Sequence, residues 1–85
     1  MKVSKAQLRV LQKLTVPGVQ LEWNLAANVA LISWMTASGK NWRTISVATT
    51  RVLARRQLIA PIDMLPKRIT YVITDAGRKA VKEAA

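Results

Sequence analysis

Residues 45–59 read ISVATTRVLARRQLI, residues 68–73 read RITYVI, and the proline-broken run APIDMLPK lies between them. In the first run Ser46 can cap a helix, with Ile45 ahead of it in the position of a staple residue. Ile45, Ala48, Thr49, Val52 and Leu53 fall within one arc of the helical wheel, which predicts the buried side. The opposite arc carries Val47, Thr50, Arg51 and Ala54, with Arg55 at its edge. The helix is expected to stop near Arg56 and Gln57. Leu58-Ile59-Ala60-Pro61-Ile62 then reads as a short strand, whose proline demands an edge position or a strand end. Asp63 to Lys67 reads as a turn. Arg68–Ile73 reads as a strand with Ile69, Tyr71 and Ile73 on one face. Thr74 caps a last helix from Asp75 to about Ala84, and Asp75 suits the positive end of its dipole.

Upstream, Ser4 and Gln7 have the spacing of a capping box. Leu8, Val10, Leu11 and Leu14 form the apolar face of a first helix, which Pro17-Gly18 ends near residue 15. Lys5, Arg9 and Lys13 line the other face and read as solvated. Val19-Gln20-Leu21-Glu22-Trp23 alternates like a half-buried strand, and Val29 to Trp34 suits its antiparallel partner. The alanines at 26, 27 and 30 also permit a helix over 25–37, but the β-branched and aromatic residues favour the hairpin. Ser38-Gly39-Lys40-Asn41 reads as a loop. The expected architecture is α+β: a winged-helix domain of three main helices with a C-terminal β-hairpin wing and an additional hairpin between the first and second helix. One domain spans residues 1–85, with no repeat or linker.

Composition bounds the function. The chain has 85 residues, with 14 Lys plus Arg against 4 Asp plus Glu, for a net charge of +10. A domain this small buries only about 60% of the surface its unfolded chain exposes. With no Cys and no His, disulfide scaffolds, zinc sites and most general-base chemistry lose their usual residues. An enzyme is not expected, nor is a cofactor or metal. The excess charge favours an acidic partner, and it belongs to the folded surface, since no long basic run exists. The longest uncharged run, Trp23 to Gly39, is too short and too polar to span a membrane. The N-terminus lacks the apolar stretch of a signal peptide, so a cytoplasmic protein of a bacterial host cell is expected.

The segment Ile45–Ile59, followed by Ile69-Thr-Tyr-Val-Ile-Thr-Asp-Ala-Gly-Arg78, resembles the recognition helix, wing and closing helix of small winged-helix proteins. It is similar to the C-terminal half of MarR-type regulators, and closer to short YjhX-like bacterial and phage proteins. Those also open with a segment like Ser4-Lys-Ala-Gln-Leu-Arg-Val-Leu-Gln-Lys-Leu14. Residues 15–44 are mostly unmatched. Gln57 stands where the family usually has Gly, at a position that often needs a left-handed backbone.

The resemblance implies a DNA-binding protein, a phage or mobile-element transcriptional regulator acting as a dimer. Helix 46–56 would enter the major groove of double-stranded DNA and wing 59–73 would flank it. On that model Arg51 contacts guanine, and Thr50 and Ser46 reach bases or phosphates, although plain capping accounts for Ser46. Lys40, Arg43 and Arg55 lie near the flanking backbone, with Lys67 and Arg68 at the wing tip. Two features suit a protein partner instead. Met64 and Leu65 place apolar side chains at an exposed tip, and Trp23, Trp34 and Trp42 either build the core or anchor a contact. The alternative function is therefore a phage-encoded inhibitor of a host nucleic-acid machine, such as an anti-CRISPR or polymerase-binding protein.

Overall fold

Ser4 begins the first element of the computed structural model, which describes residues 3–84. Its hydroxyl accepts from the Gln7 N–H, and the Gln7 side chain accepts from the Ser4 N–H, closing the capping box of α1 (Lys5–Leu14). There follow β1 (Gln20–Asn24), β2 (Val29–Thr36), β3 (Gly39–Ile45), α2 (Val47–Arg55), β4 (Ile59–Leu65), β5 (Arg68–Ile73) and α3 (Asp75–Ala84). The five strands form one sheet in the order β3-β2-β1-β5-β4, every neighbouring pair antiparallel.

All three helices cover the same face of that sheet. Successive residues of a strand point to opposite faces, so the register assigns each side chain to the helix side or the open side. Leu21, Ile32 and Tyr71 form one row on the helix side. They pack with Ile59, Ile73, Leu58, Val10, Leu11, Leu14, Leu53 and Ala80 into the core. Leu11, Leu21 and Leu53 are wholly inaccessible, and each contributes about 2 kcal/mol through burial.

The winged-helix expectation is overturned by the strand pairing. The hairpin β4–β5 does not project as a C-terminal wing. β5 pairs with β1 through Leu21↔Tyr71 and Trp23↔Ile69, so the strands form one mid-chain sheet. Strands form over 20–24 and 29–36, and the helix permitted over 25–37 does not. Residues 39–41, read as a loop, open a third strand of that unit, with only Ala37 and Ser38 turning. Glycine and asparagine there signal a turn locally, whereas pairing with Thr36, Met35 and Trp34 overrides that preference. β4 likewise runs to Leu65 rather than turning at Asp63. It is an edge strand, as Pro61 requires, with a bulge between Pro61 and Asp63.

The burial arc of α2 is also rotated from the sequence reading. Thr50 and Leu53 point inward and Ala48 outward. The expected tryptophan core is absent: Trp23 and Trp34 only flank the core, and Trp42 is 62% exposed.

The end of α2 explains Gln57. The Gln57 N–H donates to the Ala54 carbonyl and the Leu58 N–H to that of Leu53, the pairing of a Schellman turn. Leu58 and Leu53 then meet in the core. The turn needs a left-handed residue, and Gln57 supplies it with φ at 60°. Gln57→Gly should relieve that strain and raise stability by about 0.5–1 kcal/mol, less than the full αL cost because glycine gains freedom when unfolded. Thermal melts of the two proteins check this, and a lower midpoint for the variant would contradict it.

Candidate nucleic-acid interface

α2 is short, and its two ends are tightly held. Ser46 caps the start, its hydroxyl accepting from the Thr49 N–H at 3.3 Å. Thr50 is fully buried and its hydroxyl donates to the Ser46 carbonyl at 3.1 Å, so it is not available to a ligand. Between these anchors Ala48, Arg51 and Arg55 form the exposed ridge. The two arginines are four residues apart, about 6 Å along the helix axis.

Trp23 supports the ridge from below. The guanidinium carbon of Arg51 lies 5.6 Å from the centre of the Trp23 ring, within cation–π range. The Trp23 indole N–H is buried without an acceptor. Such an orphan costs about 1–3 kcal/mol, and the contact of the ring with Arg51 offsets part of that. Beside Trp23 the two hairpin tips meet, where the Leu25 N–H donates to the Lys67 carbonyl at 2.8 Å. This carries Lys67 to the same end of the sheet.

On the other flank of α2 lies α1. A cleft of about 220 Å³ is lined by Ala6, Arg9, Val10 and Lys13 on one side and by Ile32, Ile45, Ser46 and Thr49 on the other. Arg43 pairs with Ile32 across β3 and β2, and so shares that face. The basic stripe of α1, read as solvated, therefore stands beside the start of α2. Its i, i+4, i+8 spacing was the only sequence signal of this.

The remaining predicted residues lie elsewhere. Lys40 and Arg68 point to the open side of the sheet, where both flank Glu22. Their nitrogens are 3.3 Å and 3.6 Å from the two Glu22 carboxylate oxygens. Exposed pairs of this kind contribute about 0.5 kcal/mol or less. The eight predicted contact residues thus do not form one patch. Arg43, Ser46, Arg51 and Arg55 share the helix side, Lys67 sits at its end, Lys40 and Arg68 belong to the opposite face, and Thr50 is interior. Met64 and Leu65 are 69% and 46% exposed on the edge strand β4.

Among the described residues no group of three or more His, Cys, Asp or Glu could hold a metal. Burial pushes the Tyr71 phenol above its ordinary value, but Tyr71 belongs to the core. No helix of the described residues is long and apolar enough to cross a membrane. The chain matches no known family model, no curated protein and no solved structure.

Proposed function

We propose that this chain binds duplex DNA through the ridge of α2, with α1 and the hairpin tips at its flanks. One observation carries the reading. The side of the molecule built by α1, α2 and the helix-side face of β3 presents Lys5, Arg9, Lys13, Arg43, Arg51 and Arg55, and none of these elements carries a carboxylate. Glu22 and Asp63 lie on the open face, and Asp75 and Glu83 lie on α3. Six cations without a neutralising acid make a field suited to a phosphate backbone. Arg51 and Arg55 supply the planar donors that base edges accept, and the other cations set the position on the backbone.

The reading is tested by titrating a labelled 20-base-pair duplex over a range of salt. Four to five neutralised phosphates give a log–log slope of about −4. A slope near zero would reject the electrostatic interface.

One feature favours a protein partner: Ile62, Met64 and Leu65 expose apolar side chains along the β4 edge. Under that reading the chain blocks a nucleic-acid machine, and a partner retained after nuclease treatment replaces the duplex as ligand.

A further inference from the structure

The helix-free face of the sheet differs in character from every other surface of this molecule. Its centre is Glu22, on the middle strand, between Leu31 of β2 and Thr70 of β5 in register. Asp63 and Thr44 extend that row to the two edges. The charged residues of the face are Lys40 and Arg68 against Glu22 and Asp63, which cancel. The chain as a whole carries +10, so all of the net charge lies elsewhere. Around the neutral centre stand Val29, Leu31, Met35, Trp42, Leu65 and Val72. Met35 is 74% exposed and Trp42 is 62% exposed.

We propose that this face is a self-association surface, on which two copies pack sheet against sheet about a two-fold axis. Charge selects a second copy as the occupant. Two molecules of +10 repel in most mutual orientations, and least when their neutral faces meet and their basic sides point away from each other. A heterologous acidic partner would instead be drawn to the helix side.

Shape agrees with this. With the axis along the strands, the β3 edge of one copy lies over the β4 edge of the other. Trp42, in the row of Ser33 and Gln20, then faces the end of the partner sheet where Ala60 pairs with Val72. A protruding indole meets a small residue, the complementarity that inner faces of stacked sheets use. Each Glu22 is already held by its own Lys40 and Arg68, with its side chain 12% exposed, so its carboxylate meets the partner already paired.

Size sets the strength. Five strands about 4.8 Å apart and roughly 20 Å long outline a face of about 480 Å² per copy. Two such faces come to roughly 1,000 Å², at the small end of specific interfaces, the size of a reversible dimer rather than an obligate one.

Sedimentation equilibrium of the full chain from about 5 to 500 μM tests the proposal without any nucleic acid. A monomer–dimer equilibrium is expected, tightening as salt rises because residual repulsion is screened. Duplex binding responds to salt in the opposite sense, so the two readings succeed or fail separately. Trp42→Glu should weaken the dimer at least tenfold, and Met35→Glu, at a more exposed position, repeats the test should the first variant lose its circular dichroism. Arg51→Ala with Arg55→Ala should leave the dimer unchanged. A monomer across the whole range, or a dimer that neither glutamate variant disturbs, overturns the proposal.

Discussion

Gly77→Ala is expected to destabilise the protein by about 2 kcal/mol or more, lowering the thermal midpoint by about 12 °C. Helix propensity alone predicts the opposite sign, since alanine exceeds glycine in a helix interior by about 1 kcal/mol. Packing decides against it. Gly77 lies in the first turn of α3 and faces the sheet, and an added Cβ would collide with the Leu58 carbonyl oxygen and come within 2.7 Å of Ile73 Cγ1. The oxygen cannot retreat freely, because it accepts from the Thr74 N–H at 3.0 Å. Thr74 is itself tied on both sides, donating to the Gln57 carbonyl at 2.7 Å and accepting from the Gly77 N–H at 3.1 Å. Moving α3 away to make room would therefore strain the ends of α2 and β5 together. Calorimetry of the variant checks this, and an unchanged or higher midpoint would show that the contact yields.

Replacing Arg51 and Arg55 together with alanine should weaken duplex binding about a hundredfold near 100 mM salt, at an expected cost of about 1–3 kcal/mol per arginine. The salt slope should change by less than about 1, since contacts to base edges neutralise no phosphate and the backbone cations remain. Both side chains are exposed on the α2 ridge, away from Thr50 and Leu53, so the fold should be retained. As a comparison, Lys40→Ala alters only the open face and its pairing with Glu22, and should change duplex affinity by less than threefold. A loss of about tenfold for Lys40→Ala, half the double variant's loss in log units for half the charge removed, would mean that net charge alone matters and that the α2 ridge has no special part.

Much of the local structure was legible because its causes are local. The Ser4–Gln7 box, the cap at Ser46 and the strand alternation from Gln20 to Trp23 each depend on residues a few positions apart. β3 was not legible for the opposite reason. Lys40, Trp42 and Thr44 are exposed on the open side and Arg43 is exposed on the other, so an edge strand of this kind shows no apolar period. Its strand state comes from the paired backbone of β2. The wheel of α2 misled because threonine counts as either polar or apolar. Thr50 is interior since its hydroxyl finds the Ser46 carbonyl within the same helix, leaving no polar atom unpaired.

The candidate site divides along the same line. The residue types were evident from sequence: a strongly basic chain without Cys or His, and arginines on a capped helix. Which cations act together was not evident. Lys40 and Arg43 are three residues apart but lie on opposite faces of β3, whereas Arg9 and Arg43 are distant in sequence and stand on the same side. Short-range capping, alternation and composition were determined by the sequence by itself, since neighbours along the chain settle those energies. The pairing of β1 with β5 depends on a contact between residues some fifty positions apart. Only the tertiary structure could decide it, and with it whether the last hairpin projects or closes a five-stranded sheet.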